Sequence, residues 1–182
     1  MANKDVDFVI LGAFLQPTCP SYGHIVDSGA ATMWERFDSW HPELGFNPNL
    51  MNDINHLGLN SVFEWIFGYV GGIRPHPLHP GYKRFIIAPC TESGPEWVKT
   101  DYKSLRGLIS CQWKRDGNLT ELNLEIPPNT VAEVHLHTAD IQKIRESGKS
   151  VTAATGIRII RIEDNKTVLE VGSGLYSFSI ES

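Results

Sequence analysis

The chain has 182 residues, of which 41% are apolar and 20% charged, and its formal net charge is −5. These proportions are typical of a globular protein with its own core and exclude a disordered or membrane-embedded chain. The acidic balance argues against a nucleic-acid binder held by phosphate contacts. The length allows one domain, or one domain and part of another.

Two further features limit the class of protein. The three cysteines are widely spaced and fit neither a disulfide framework nor a zinc site, so we expect reduced thiols, with one disulfide left open. The apolar stretch 8–15 follows Asp5 and Asp7, whereas a signal peptide begins with positive charge. It is also too short to span a bilayer. We expect a soluble chain, and the sequence does not indicate its compartment.

The first 80 residues divide into three predicted stretches. Residues 5–16 are predicted to form a short helix that ends before a proline. Residues 17–52 are rich in proline and glycine, which predicts a long loop of the kind that usually serves a function. Residues 53–73 are predicted to form one long helix that ends at the Gly71-Gly72 pair.

The second half of this long helix has almost no polar face. Glu64 is the only charged residue between Ser61 and Ile73. A helix that is apolar all round needs burial on all sides, and one short neighbouring helix cannot supply it. We therefore expect a large apolar surface that is exposed, folded onto the rest of the chain, or covered by an oligomer or a complementary chain.

From Tyr82 onward the apolar pattern changes to a period of two, which is typical of strands. Hairpin turns are predicted at 115–118 and 163–166. Short strands at this spacing predict an antiparallel β-sandwich of about 100 residues, so the fold class of the whole chain is α+β. The predicted strands are 84–88, 97–103, 108–114, 119–126, 132–137, 142–146, 158–163, 167–171 and 176–180.

The predicted loop contains a dense aromatic and charged run at 31–41. It places Glu35, Arg36 and Asp38 between tryptophans and a phenylalanine. Indoles stack on the apolar faces of sugars, and a carboxylate between aromatic rings can be tuned as an acid or a base. The run therefore favours a carbohydrate site. The alternative is an irregular loop packed by its tryptophans, with the charges paired locally.

Several linked motifs resemble one known family. Residues 20–24 are Pro-Ser-Tyr-Gly-His, residues 29–38 are Gly-Ala-Ala-Thr-Met-Trp-Glu-Arg-Phe-Asp, and Asn55-His56 follows. In this order the motifs resemble the bacterial α-L-rhamnosidases, an inverting family of glycoside hydrolases. Further matches are Glu64-Trp65, Gly71–Pro75, Pro80–Ile87, Ile126–Thr130, Glu146–Gly148 and Gly172–Phe178.

The resemblance implies an (α/α)₆ toroid that carries the active site, followed by a C-terminal β-sandwich. Residues 1–80 then correspond to the last helical hairpin of an incomplete toroid, and residues 81–182 to the complete sandwich. The apolar helix fits this interpretation because the other helices of a toroid would surround it. The implied ligand is a rhamnose-containing glycan, with no cofactor, metal, nucleic acid or membrane partner.

By resemblance, Glu35 corresponds to the general base of this family. An inverting glycosidase uses one carboxylate to activate water and one carboxylic acid to protonate the leaving oxygen, about 6.5–9.5 Å apart. The family's general acid comes from an earlier part of the toroid. Asp53 and Glu64 match no such motif. We therefore expect the 182 residues by themselves to be catalytically inactive.

The resemblance also assigns the substrate-binding residues. Trp34 and Trp40 would shape the sugar pocket, and His56 would hydrogen-bond the rhamnose. Arg36 and Asp38 would orient the base or bind sugar hydroxyls.

The sequence departs from the family pattern near these residues. Ala31-Thr32 replaces the usual Thr-Thr, Phe37 the usual tryptophan, and Leu57 the usual aromatic residue, with Gly58 after it. The pocket of this chain would therefore differ from that of its relatives.

Other residues have simpler interpretations. The pairs His76/His79 and His135/His137 lack an evident third metal ligand, so we expect no metal site. Trp97 and Trp113 could form a sugar-binding platform, although packing is the more common role of such residues. Arg158 and Arg161 are expected to be solvated or paired.

Two classes of function remain open at this stage. In the first, the chain is the C-terminal part of an α-L-rhamnosidase-type glycoside hydrolase. In the second, it is a non-catalytic β-sandwich that binds carbohydrate or serves as a structural module, with a helical remnant attached.

Overall fold

The structure is a computed structural model that describes residues 14, 16–49 and 51–181. Its residues cluster into two compact units, Met1–Glu64 and Trp65–Ser182. The predicted helix 5–16 lies almost wholly outside the described residues. The predicted assignment of residues 1–80 to a toroid hairpin and 81–182 to a sandwich stays a prediction, because the compact units reflect contacts and not ancestry.

The first unit is largely irregular, as its proline and glycine content predicts. A short helix α1 (Tyr22–Asp27) begins at Ser21, whose Oγ accepts a 2.8 Å hydrogen bond from the His24 amide. This bond satisfies one of the free amides at the helix start. A small hairpin, β1 (Trp40–His41) with β2 (Gly45–Phe46), was not predicted.

The predicted long helix over 53–73 is wrong in extent and type. Residues 53–57 are irregular. A 3₁₀ turn (Gly58–Ser61), the α-helical turn α2 (Val62–Trp65) and a π-helical turn (Ile66–Val70) follow in succession. The π turn closes with a 2.8 Å hydrogen bond from the Gly71 amide to the Ile66 carbonyl. Apolar periodicity identified helical structure here but could not specify which hydrogen-bond spacing it uses.

The Gly71-Gly72 pair ends the helical segment, as predicted. Gly72 has a φ of +80°, a conformation that favours glycine. A Cβ atom at this position would also collide with the backbone of Pro89. The chain therefore needs glycine here in order to pass from the helical turns into the strands.

The expected apolar surface of the helical segment takes two forms. In the first unit, Leu57 is 82% exposed and Phe63 is 50% exposed. In the second unit, Val70 is buried and Phe67 packs against the core, with its ring centroid 5.8 Å from that of Tyr102. The end of the segment is thus folded onto the strands, and its beginning presents apolar side chains to solvent.

The second unit is a β-sandwich, and each of the nine predicted strands is found. A six-stranded and a five-stranded sheet stack with a shared apolar core, which confirms the α+β fold class for the described residues. The strands are β3 (Ile73–Pro75), β4 (Arg84–Ile87), β5 (Trp97–Ser104), β6 (Gly107–Asp116), β7 (Leu119–Ile126), β8 (Val131–Leu136), β9 (Ile144–Glu146), β10 (Lys149–Ser150), β11 (Ile157–Glu163), β12 (Lys166–Val171) and β13 (Gly174–Glu181).

The sheet topology differs from the prediction in one pairing. The six-stranded sheet has the order β10-β9-β13-β7-β6-β5, and the five-stranded sheet has the order β11-β12-β8-β4-β3. All pairs are antiparallel except β4 with β8, which is parallel. The predicted antiparallel sandwich is therefore confirmed, with this one parallel pair as an exception that the sequence did not predict. Period-two patterning gives strand position and leaves strand direction open.

The hairpin turns were predicted correctly. Asp164 and Asn165 join β11 to β12 with φ values of 49° and 58°. Two consecutive positive φ values are typical of a type I′ turn, whose twist matches that of the strands. Gly117 has a φ of 55° in the turn between β6 and β7.

The core of the second unit lies between the two sheets and includes side chains from both. Phe85 and Phe178 are among its largest fully buried members. Trp113 is buried as expected, and its indole Nε1 donates a 3.3 Å hydrogen bond to the Val70 carbonyl. That bond satisfies the polar end of an otherwise apolar side chain.

The structure also settles the state of the three cysteines. All are free thiols: Cys19 is exposed, Cys90 half-buried and Cys111 buried. Burial raises the pKa of the Cys111 thiol far above its usual value. None of the helices in the described ranges is long and apolar enough to cross a membrane.

Candidate active site

Backbone hydrogen bonds join two distant segments of the first unit. The Glu35 amide donates to the Asp53 carbonyl at 2.7 Å, and the His56 amide donates to the Met33 carbonyl at 2.9 Å. Each bond links residues about twenty positions apart, so neither segment is held by local structure alone. The pairing brings the predicted base and the predicted sugar-binding histidine onto adjacent stretches of chain.

The carboxylate of Glu35 is oriented by one of these segments. Its Oε2 accepts a 3.0 Å hydrogen bond from the Asp53 amide. Within the described part of the chain, its Oε1 has no hydrogen-bond donor. Asp53 in turn uses its own Oδ1 to accept from the Asn55 amide at 2.8 Å. Glu35 is half-buried, so a fixed carboxylate presents one oxygen with an open lone pair.

A hydrogen bond also fixes which ring nitrogen of His56 acts as acceptor. Its Nδ1 accepts a 2.9 Å hydrogen bond from the Gly58 amide. A backbone amide can only donate, so Nδ1 carries the lone pair and the proton of the neutral ring is on Nε2. The ring therefore presents an N–H donor on the side away from Gly58.

Arg36 and Asp38 bind each other. The guanidinium Nε and Nη2 lie 2.9 Å and 3.0 Å from the two oxygens of Asp38. The Asn47 side chain donates to the same carboxylate at 2.8 Å. A planar guanidinium matches a carboxylate in this two-bond geometry. In this structure the pair shapes the loop, and no hydrogen bond links either residue to the Glu35 side chain.

The two tryptophans of the run differ in accessibility. Trp34 is only 4% exposed, and its ring meets that of Trp40 edge-on at 6.3 Å between centroids. Trp40 is half-buried in β1, opposite Phe46. Trp34 therefore acts as core of the first unit, and Trp40 retains surface that a ligand could reach.

Several residues that support the site had not been identified from sequence. Ser39 is fully buried, and its Oγ accepts a 3.2 Å hydrogen bond from the Arg36 amide. The Thr32 hydroxyl donates to the Ile54 carbonyl and adds a fourth hydrogen bond between the two segments. Both are common loop residues without a distinctive sequence pattern, so only their partners in space reveal their roles.

Two residues that depart from the family pattern, Phe37 and Leu57, have different surroundings. Phe37 meets the ring of Tyr22 edge-on at 5.1 Å, and the Tyr22 hydroxyl donates to the Leu59 carbonyl at 3.0 Å. Leu57, which follows the predicted sugar-binding histidine, is largely exposed. The phenylalanine thus contributes to packing between loop segments.

In the described ranges, no group of three His, Cys, Asp or Glu residues is arranged to hold a metal ion. His76 and His79 lie close together, with ring centroids 4.8 Å apart. His135 lies 2.9 Å from Glu133, and His137 Nδ1 lies 3.2 Å from Glu92.

Both arginines of β11 form ion pairs, which is one of the two states expected for them. Arg161 contacts Glu133 at 2.6 Å, and Arg158 contacts Glu170 at 2.7 Å. Arg84 binds the same Glu170 at 2.8 Å. Burial raises the pKa of Glu133, but hydrogen bonds from Arg161 and His135 outweigh it and leave the pKa below its usual value.

The lowered pKa values of Glu133, His135 and His137 predict that acid destabilises the fold. Burial holds the pKa values of His135 and His137 below that of a free histidine. The unfolded chain then binds more protons than the folded chain, so the free energy of unfolding falls as the pH drops below about 6.5. Glu133 acts in the same direction below about pH 4.5, because its stabilising charge is lost.

Urea unfolding at about pH 7 and about pH 5 measures the effect. The midpoint should be lower at the acidic pH, and the difference should shrink in His137→Gln. The exposed His79, replaced in the same way, should leave the difference unchanged. A midpoint that does not depend on pH would contradict this account.

Comparisons with known proteins identify the family of this chain. Residues 1–70 match the bacterial alpha-L-rhamnosidase 6 hairpin glycosidase domain, and residues 72–151 match the bacterial alpha-L-rhamnosidase C-terminal domain. An alpha-L-rhamnosidase of Streptomyces avermitilis is 33% identical over 165 residues, covering 91% of this chain and 15% of that protein. One from Formosa agariphila is 29% identical over 161 residues, covering 88% and 17%.

The solved structures that resemble this chain are also alpha-L-rhamnosidases. The Streptomyces avermitilis alpha-L-rhamnosidase complexed with L-rhamnose superposes with a TM-score of 0.78 at 34% identity, over 94% of this chain and 16% of that one. The alpha-L-rhamnosidase from Dictyoglumus thermophilum gives 0.74 at 26% identity, over 92% and 18%. Both are glycosidases of one class. The chain belongs to the bacterial α-L-rhamnosidase family, and it spans less than a fifth of these relatives.

Proposed function

We propose that this chain supplies the base side of an inverting α-L-rhamnosidase site, with Glu35 as the general base. The orientation of its carboxylate supports this most directly. One oxygen is fixed by the Asp53 amide, and in the described ranges the other has no donor. A general base needs a fixed direction and an open lone pair in order to take a proton from the attacking water.

The proposal assigns supporting roles to the neighbouring residues. His56 donates from Nε2 to a hydroxyl of the rhamnose, and Trp40 contributes an apolar ring face. The buried Trp34 supports Trp40 through an edge-on ring contact. Arg36 and Asp38 keep the loop that carries the base in shape through their paired hydrogen bonds.

The second carboxyl group must come from outside the identified motifs. An inverting site needs an acid about 6.5–9.5 Å from the base. Asp53 is linked to Glu35 through its backbone amide and carbonyl, but it matches no acid motif of the family. We therefore infer that the 182-residue polypeptide by itself does not hydrolyse rhamnosides.

Exposed apolar side chains support the interpretation of residues 1–80 as part of a larger helical toroid. Leu44, Met51, Leu57 and Phe63 are all at least half exposed in the first unit. Apolar surface on this scale is typical of a face that another protein segment covers. In this proposal the remaining helices of a toroid, or a complementary chain, cover it.

A hybrid enzyme tests the proposal. The matching segment of the Streptomyces avermitilis relative is replaced by these 182 residues, and hydrolysis of 4-nitrophenyl α-L-rhamnopyranoside is measured. The hybrid should be active, whereas the chain alone should show no turnover. Gel filtration and circular dichroism establish that both are folded. Turnover by the chain alone, or a folded hybrid without activity, would overturn the proposal.

One observation favours a second function, glycan binding by the sandwich. Trp97 is 66% exposed on β5, and its neighbour Val98 packs against the core, so the indole points away from the core. The outer face of the same sheet carries polar side chains in register on β6, β7 and β13: Gln112 opposite Asn123, and Asn123 opposite Ser177. They line an open groove of about 360 Å³.

Affinity electrophoresis with a rhamnose-containing polysaccharide tests this second function. Trp97→Ala should weaken binding about two- to tenfold, because it removes the exposed aromatic face. Leu105→Ala serves as a control, since Leu105 is equally apolar, 99% exposed and in the turn after β5. Equal retardation of all three proteins would show that the sandwich face takes no part in glycan binding.

A further inference from the structure

A cavity of the second unit lies at one end of the sandwich and shares no lining residue with the groove lined by Gln112 and Asn123. It has a volume of about 490 Å³ and lies where the β6–β7 and β11–β12 hairpins approach each other. This volume suits a ligand of monosaccharide size.

Inward-facing positions change from apolar to polar at this end. On β6, the buried Trp113 is followed two residues later by Arg115, and on β7 Leu122 is preceded by Thr120. Residues two apart on a strand share a face, so both polar side chains point between the sheets. The floor keeps apolar side chains, including Leu122 and Ile180.

One wall of the cavity is already fixed in place. The guanidinium of Arg115 donates from Nη1 to the Thr91 carbonyl at 2.8 Å and from Nη2 to the Gly94 carbonyl at 3.4 Å. Because neutral carbonyls accept these bonds, they order the 91–94 loop without cancelling the positive charge. A ligand would thus meet a wall that needs little rearrangement.

The charges of the lining do not balance. In the described ranges neither Arg115 nor the half-buried Lys143 has a carboxylate partner. The one acidic lining residue, Glu92, lies against His137, with 3.2 Å between its Oε2 and the imidazole Nδ1. Two cations therefore face the cavity against one carboxylate, which favours an anionic ligand.

We propose that this cavity binds a polyhydroxylated carboxylate of monosaccharide size, a sugar acid. Lys143 and Arg115 attract its carboxylate, and Thr120 and Asn165 hydrogen-bond its hydroxyl groups. The apolar floor contacts the ring face. The proposal does not depend on rhamnosidase activity, because every residue it uses lies in the sandwich.

Isothermal titration of the full chain with D-glucuronate tests it. D-Glucose, which has the same ring without the carboxylate, and acetate, which has the carboxylate without the ring, are the matched ligands. Glucuronate should bind, and the other two should bind at least about tenfold more weakly. Lys143→Met should weaken glucuronate binding by a similar factor, whereas Lys99→Met, an exposed lysine outside the cavity, should not.

Three results would overturn the proposal: no heat with glucuronate, equal affinity for glucose, or equal affinity for acetate. Thr120→Val tests the hydroxyl contacts with a side chain of the same shape, and it should weaken glucuronate binding without affecting acetate. Circular dichroism and urea unfolding confirm that each variant is folded, so that a loss of binding reports on the cavity itself. Unchanged binding in both Lys143→Met and Thr120→Val would also refute it.

Discussion

Glu35→Gln in the hybrid rhamnosidase should lower kcat by about 10²–10⁴-fold with little change in KM, as expected when a general acid–base group is removed. Glutamine has the same size and can still accept the hydrogen bond from the Asp53 amide through its side-chain carbonyl. It cannot take a proton from water. The variant therefore removes the chemistry of the residue and keeps its position.

The control for this variant is Glu43→Gln, which changes an exposed acid of the same unit. Its kcat should stay within a factor of about two, since surface substitutions away from a site have small effects. The pH profile of kcat/KM gives a second readout, because the acidic limb should disappear in Glu35→Gln alone. If Glu35→Gln retained full activity, another residue would have to serve as base.

Phe85→Ala should destabilise the sandwich by about 3–5 kcal/mol, the usual cost of removing a fully buried aromatic side chain. Phe85 lies on β4, pairs with Ala132 of β8 and belongs to the core between the sheets. Its ring is fully buried, so the substitution loses apolar burial and leaves a cavity. Urea unfolding followed by tryptophan fluorescence measures the change.

The matched control is Leu105→Ala, which removes an almost fully exposed apolar side chain from the turn between β5 and β6. Its free energy of unfolding should change by less than about 0.5 kcal/mol. A cost for Phe85→Ala that is no larger than this would mean that β4 contributes little to the core.

Much of the sandwich could be predicted because its determinants are local. Alternating apolar residues place each strand, and turn residues such as Asp164 and Asn165 place the hairpins. The order and direction of the strands could not be predicted in this way. β4 and β8 are joined by about forty residues of other strands, and no short-range pattern specifies that they pair in parallel.

For the helical segment, the local sequence pattern predicted the wrong structure. Its apolar residues predicted a single α-helix, whereas the structure has three short turns with different hydrogen-bond spacings. Phe67 packs against the core and Val70 is buried, and tertiary packing of this kind contributes more to helical stability than intrinsic propensity does. Local propensity was overridden by burial at this point.

For the candidate site, the sequence by itself determined the residue types and the family: the run around Glu35, the Asn55-His56 pair and the motifs that follow them. Only the tertiary structure decided how these residues are used. It fixes one oxygen of Glu35 on the Asp53 amide, pairs Arg36 with Asp38, buries Trp34 and exposes Trp97. The reason is physical, since hydrogen bonds and burial depend on which segments meet in space, and these segments are far apart in the chain.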